Sequence, residues 1–192
     1  MKARWFTLGA AAALLAPVGV AHAQYEENMA GGPSKYTFEL YLAQYSVDVG
    51  DDREGIGGIG GRLMFGRGDA TKVVSTFFNR ARAGVFATYT AEQKDITTLH
   101  VGGQADFPLF AAPVVNGFLD PFISLGAGLF RTSVDVIGGD NSSNDFAFTP
   151  AIGTMIPITG AIKFRGDIRD VIVFGDDTSN NLVLEGGISV GF

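Results

Sequence analysis

Glu185-Gly186-Gly187-Ile188-Ser189-Val190-Gly191-Phe192 is the stretch on which the fold turns. Ile188, Val190 and Phe192 alternate with Ser189 and Gly191, and the last residue is an aromatic. Period-two alternation places those three apolar side chains on one face of a short strand. Chain ends of water-soluble domains usually fray in polar residues, because little holds a terminus down. A bare phenylalanine beside its own carboxylate makes sense if the final strand sits in an apolar medium.

Seven further segments upstream alternate in the same way between turn-forming residues. The first runs from about Lys35 to Tyr45, with Tyr36, Phe38, Leu40 and Leu42 opposing Thr37, Glu39 and Tyr41. From Ile56 to Gly66, Ile59, Leu63 and Phe65 oppose Arg62 and Met64. From Arg82 to Thr90, Ala83, Val85, Ala87 and Tyr89 oppose Arg82 and Thr88. The fourth, Ile96 to Phe107, sets Leu99, Val101, Ala105 and Phe107 against His100, Gly102, Gln104 and Asp106. In the fifth, Pro121 to Thr132, Ile123, Leu125, Ala127 and Leu129 oppose Ser124, Gly126 and Gly128. The sixth, Asp145 to Ile156, sets Phe146, Phe148, Ile152 and Ile156 against Ala147, Thr149 and Gly153. The seventh, Ala161 to Val173, turns Ile162, Phe164 and Ile168 away from Lys163, Arg165, Asp167 and Arg169. The eighth, Asn181 to Phe192, adds Leu182 and Leu184 to its apolar face and Glu185 and Gly187 to the other.

Segments of this length suit tilted strands that cross a bilayer, which need about 9–11 residues. Strands of a soluble sandwich average about 5–6. One apolar face repeated on eight long strands needs a large apolar partner, and in lipid only a closed barrel satisfies every backbone group. A soluble lipocalin-like barrel is the alternative. Its Gly-x-Trp signature is missing, since the only tryptophan is Trp5, and charges recur on the minority face of these strands.

The other end of the chain agrees with export. Lys2 and Arg4 precede an apolar run from Phe6 to Val20, and Ala21-His22-Ala23 precedes Gln24. That is the pattern of a secretory signal peptide over 1–23, cleaved after Ala23. Gln24 to Ser34 reads as a flexible periplasmic arm, and the barrel domain as 35–192. After Ala23 no apolar stretch is long enough for a transmembrane helix. The chain has no cysteine, so no disulfide staples it and no lipoprotein anchor follows the leader. Its net charge of −6 disfavours nucleic acid as a partner. With 16 Phe and 27 Gly, the composition is that of a β protein.

The terminal stretch resembles the C-terminal signal of bacterial outer-membrane barrels, with Glu185, Gly187, Val190 and Phe192 in its polar, glycine, apolar and aromatic slots. From about Lys35 to Phe192 the chain is similar to the small eight-stranded barrels of Gram-negative bacteria, the group of the OmpA transmembrane domain, the OmpX/Ail proteins and OmpW. Pro121 to Gly128 also resembles a strand of that group. The resemblance implies an all-β fold, an eight-stranded antiparallel up-and-down transmembrane β-barrel of the cell outer membrane. It further implies contact with outer-membrane lipid and lipopolysaccharide, and handling by periplasmic chaperones and the barrel-assembly machinery. A monomer is expected.

With both ends in the periplasm, surface loops fall near 47–55, 91–95, 133–144 and 174–180. They carry Asp48, Asp51, Asp52, Glu54, Asp135, Asp140, Asp176 and Asp177, without the spacing of a calcium loop. The connections at 67–81 and 108–120 would be periplasmic and are long for such turns, unless Phe77 and Phe78 extend the third strand.

Alternation turns Glu39, Arg62, Arg82, His100, Asp106, Lys163, Arg165, Asp167, Arg169 and Glu185 inward. The lumen of an eight-stranded barrel has room for side chains and little else, and unpaired charges there are costly. Glu39 and Glu185 lie on strands next to one another and to the basic stripe Lys163/Arg165/Arg169. A structural charge network is expected, with a switchable ion gate as the sharper alternative. No cofactor or metal motif is found, and no enzymatic activity is expected. His100 is the only histidine after the leader, and Gly102 stands where the deacylase barrels carry the serine of their His-x-Ser pattern. The function expected is support of envelope integrity or very limited passive permeation, the alternatives being an OmpW-type conduit for small hydrophobic molecules, exiting near Pro150 and Pro157, or a surface adhesin.

Overall fold

Alternating side chains leave a strand's backbone groups pointing sideways, and each must find a partner on a neighbouring strand. In this protein the partners run full circle. The structure, a computed structural model, describes residues 36–49, 52–66, 81–90, 96–110, 113–115, 117–136, 139–175 and 178–192. The expected leader and arm lie outside the described residues, as do 67–80 with Phe77 and Phe78, and the 91–95 loop.

The strands are β1 (Tyr36–Val49), β2 (Asp52–Gly66), β3 (Arg82–Thr90), β4 (Ile96–Pro108), β5 (Asp120–Val136), β6 (Gly139–Pro157), β7 (Ile162–Phe174) and β8 (Thr178–Gly191). Each pairs antiparallel with the next, and β1 pairs with β8 from Thr37↔Gly191 to Ser46↔Leu182, closing the barrel. Phe192 is tied into that seam. It donates its N–H to the Tyr36 carbonyl at 3.0 Å and accepts from the Tyr36 N–H at 3.1 Å. Its ring stacks on Tyr36 with centroids 6.0 Å apart.

The alternation reads outward as expected. Leu42, Val85, Leu129, Ile152 and Leu184 are each more than half exposed on the outer wall. Arg62, Asp106, Arg169 and Glu39 are each 1% exposed inside it. This is the reverse of a lipocalin-like barrel, whose apolar faces point to the lumen.

Much of three expected loops is strand instead. Strands β1 and β2 continue to Val49 and from Asp52, β5 and β6 to Val136 and from Gly139, and β7 and β8 to Phe174 and from Thr178. The backbone ladder persists beyond the apolar band, where polar, glycine and isolated apolar residues mix and the alternation that signals a strand fades. Ser142, Ser143 and Asn144 of β6 are exposed there. At the other end the 108–120 connection carries a small bridge of its own, Val114↔Leu119. The β6–β7 ladder skips Thr149 and Pro150 and resumes at Ala151↔Arg169, as the missing proline N–H dictates. Pro157 is the last residue of β6, opposite Lys163.

Candidate functional site

The lumen is the place where this chain concentrates chemistry. Glu39 lies early in β1, Arg62 late in β2, Arg82 at the start of β3, Asp106 late in β4, Arg165, Asp167 and Arg169 in the first part of β7, and Glu185 in β8. Period two aims all eight inward, and the closed sheet gathers them into one belt in the half of the barrel nearer the chain's end.

Register supplies two opposite-charge neighbours, Glu39↔Arg62 and Arg82↔Asp106. It also sets Asp167 directly across from Glu185, a like-charge pair that is unfavourable alone. Arginines resolve that conflict. Arg165 donates through Nε to Asp167 at 2.8 Å, and Arg169 Nη2 reaches the other oxygen of Asp167 at 3.5 Å. Glu185 is paired with Arg62 Nη2 and lies 3.5 Å from Arg169 Nε. Arg165 also pairs with Asp106 and lies 3.4 Å from Glu39, which Arg62 Nη1 meets at 3.3 Å. Arg82 Nη2 reaches Asp106 at 3.0 Å and Glu39 at 3.6 Å. Four arginines thus balance four carboxylates, and within the belt only Arg82 is exposed beyond a few percent, at 17%. Lys163 is half-buried at the mouth of the barrel near the chain's end, opposite Ser189.

Several lumen residues that complete the belt were not singled out by sequence reasoning. The Gln104 carbonyl oxygen accepts from Arg62 Nε at 3.1 Å and Arg169 Nη2 at 3.3 Å, while its amide donates to Asp106 at 3.0 Å. Arg62 stacks on Tyr41 at 3.9 Å and Arg165 on Phe122 at 4.2 Å from the ring centroids. Their inward parity was the available signal: alternation already put Tyr41 and Gln104 on the polar face, and Phe122 shares its parity with Ser124. Tyr41 needs glycines beside it. A Cβ on Gly60, its partner on β2, would fall 2.5 Å from the Tyr41 Cε2, and one on Gly187, its partner on β8, 2.6 Å from the Tyr41 Cβ. The glycine slot of the terminal stretch is therefore the seat of a lumen tyrosine. Of the other three positions, Glu185 belongs to the belt, while Val190 and Phe192 face outward.

Beyond the belt the lumen changes character. Tyr45, Ile56, Phe130, Ala147, Val171, Val173 and Val183, joined to the belt by Tyr41 and Ala43, form an apolar layer toward the β1–β2 and β7–β8 turns, which the inward charges alone did not foretell. His100 is sealed at its base, with Phe86 and Phe130 edge-on at 4.7 and 5.5 Å. Its Nε2 has no hydrogen-bond partner, and its 1% exposure leaves it no route to a lipid headgroup. On the opposite side of the belt, Met64, Phe122 and Met155 are buried below it. Among the described residues, side chains occupy the lumen from Met64, Phe122 and Met155 through the belt to the apolar layer.

A closed eight-stranded meander with an apolar outside and a charged, filled inside has the fold of the small outer-membrane β-barrels. Among solved structures the chain is similar to Neisserial surface protein A (NspA), with 15% identity over 84% of this chain and 100% of that one, at a TM-score of 0.64. It is also similar to the N-terminal β-barrel domain of Pseudomonas aeruginosa OprF, with 10% identity, the same coverage and a TM-score of 0.54. Ail, the attachment invasion locus protein of Yersinia pestis, matches at 14% identity over 84% of this chain and 100% of its own, with a TM-score of 0.54. No protein-family model and no curated protein sequence matches the chain. At these identities the likeness is one of fold.

Proposed function

We propose that this chain is a non-enzymatic integral protein of the outer membrane that supports envelope integrity. In this reading residues 1–23 are removed on export, 24–34 form a periplasmic arm, and the wall meets outer-membrane lipid and lipopolysaccharide after delivery by chaperones and the assembly machinery. The carrying observation is the filled lumen. A neutral, mutually paired charge belt stacked against an apolar layer offers an ion neither continuous water nor a net field to enter. Of the two expected roles, mechanical support is therefore favoured over permeation.

The ladder skip at Thr149–Pro150 is the one feature that favours a lateral conduit, but Thr149 and Val171 behind it are each 0% exposed. The Ail structure with the heparin analogue sucrose octasulfate concerns a polyanion. The strand ends away from the chain's terminus carry Asp48, Asp52, Asp135 and Asp140, and the sequence between them adds Asp51, Asp176 and Asp177, a charge that repels such a ligand.

Two measurements test the proposal together. Unboiled protein from the outer-membrane fraction is expected to migrate faster on a gel than boiled protein, and planar bilayers containing it are expected to stay electrically silent. Reproducible conductance steps would replace the supporting role with a pore. Absence of a mobility shift in a periplasm-soluble protein would overturn the membrane reading itself.

A further inference from the structure

The connection between β4 and β5 is unlike the turns at the opposite end of the barrel. From Pro108 to Leu119 its sequence carries no charged residue. Its described part is a small hairpin. The Val114 N–H donates to the Leu119 carbonyl at 2.7 Å, the Leu119 N–H returns to Val114 at 3.0 Å, and the Phe118 N–H closes a turn onto Val115 at 3.1 Å. The turn holds Gly117 at φ 84° and Val115 at φ 55°. Glycine adopts that region freely, whereas a β-branched residue there is strained.

The strained valine is also bare. Val115 is 63% exposed, Phe110 49% and Leu109 38%. Packing within the protein leaves most of the Val115 side chain uncovered. An apolar surrounding would, and the wall leads straight to one. The Leu109 N–H extends the ladder by bonding to the Pro121 carbonyl at 2.9 Å, so Leu109 continues the outward column of Leu99, Val101, Ala105 and Phe107. At the same rim Ile158 and Phe192 are exposed at 53% and 69%.

We propose that this hairpin is an interfacial anchor, lying in the headgroup–acyl boundary of the leaflet at the chain's terminal end, with Val115 and Phe110 against acyl chains. The inference rests on the membrane reading above. Its occupant is lipid rather than a protein, because Leu109 carries the lipid-facing column of β4 directly into this connection. Apolar side chains at such a boundary are stabilised roughly in proportion to the area they bury. The anchor would fix how deep the β4–β5 side of the barrel sits.

The chain has no cysteine, so Val115→Cys offers a unique site for an environment-sensitive nitrobenzoxadiazole label. Labelled protein refolded into phosphatidylethanolamine/phosphatidylglycerol vesicles would be compared with Leu125→Cys on the wall and Ser142→Cys at the polar end. Expected at Val115 are apolar-type emission and quenching by nitroxide lipids approaching the Leu125 value, with water-like emission at Ser142. Phe110→Cys serves as a second reporter should Val115→Cys not refold. Water-like, unquenched emission at Val115 with a quenched Leu125 label would overturn the anchor and leave the membrane reading standing. Apolar emission without lipid quenching would equally overturn it, in favour of a second copy covering the hairpin. Failure of the Leu125 label to be quenched would overturn both readings.

Discussion

Arg165→Met is the perturbation to which the lumen is most sensitive. The arginine is 2% exposed, pairs with Asp106 and Asp167, approaches Glu39 at 3.4 Å and stacks on Phe122. Methionine keeps much of the stem and a favourable sulfur–ring contact, but it removes the charge. The belt then changes from four against four to three against four. Asp106 is left with Arg82 at 3.0 Å, while Asp167 faces Glu185 across the ladder with arginine nitrogens no nearer than 3.5 and 3.9 Å. Removing one partner of a buried ion pair costs about 3–5 kcal/mol, because the other charge stays behind uncompensated. That is a large share of the roughly 5–15 kcal/mol that holds a typical domain together.

The assay is urea unfolding of the barrel refolded in phospholipid vesicles, followed by circular dichroism and by loss of the fast-migrating band. A second variant separates lost charge balance from lost packing. Arg165→Met/Asp167→Leu restores neutrality and removes the Asp167–Glu185 repulsion, so it is expected to regain more than half of the loss. In a double-mutant cycle such residues are strongly non-additive. An Arg165→Met midpoint within about 0.5 kcal/mol of the parent, the range of an ordinary surface substitution, would refute the argument. So would a double variant whose cost is the sum of the two single ones.

His100→Phe is expected to leave the unfolding midpoint unchanged or raise it. It removes a buried ring nitrogen that has no partner, and such a group costs about 1–3 kcal/mol; a marked loss of stability would show that His100 has a partner that matters. Gly60→Val should destabilise by about 1–3 kcal/mol through overpacking, since its Cβ intrudes on Tyr41 and would displace it from the 2.7 Å bond to Thr88 Oγ1; an unchanged midpoint would mean the tyrosine moves freely. Asp170 is a half-buried carboxylate on the outward face, beside Leu182 and between Ile168, 52% exposed, and Ile172. Charges on the lipid face of a barrel cost up to about 2–4 kcal/mol at the midplane and less for acids, so Asp170→Leu is expected to stabilise the barrel by about 1 kcal/mol in vesicles, and a loss would reveal a partner for Asp170.

What could be read from the sequence follows from where its two periodicities coincide. From Tyr36 to Leu42 on β1 and from Leu99 to Phe107 on β4 the outward positions are apolar or glycine and the inward ones mostly polar, so the faces followed directly, and Glu39 and Glu185 could be placed near Arg165 and Arg169. The specific pairings were less accessible. Arg62–Glu185 and Arg165–Asp106 join strands that are not neighbours, across the lumen. Such contacts depend on strand tilt and barrel width, which no single strand encodes. The apolar layer escaped for another reason. Val171-Ile172-Val173-Phe174 is apolar on both faces, and Val183 shares its parity with Glu185. Alternation cannot separate wall from lumen there, although Val171 and Val183 are each 0% exposed inside. That blind spot matters for function. Inward charges taken alone invite the picture of a gated water path, whereas charges backed by an apolar layer favour the closed interior proposed above. The surfaces proposed to do this protein's work are then the wall and its two rims, one acidic in sequence and the other bearing the apolar β4–β5 connection.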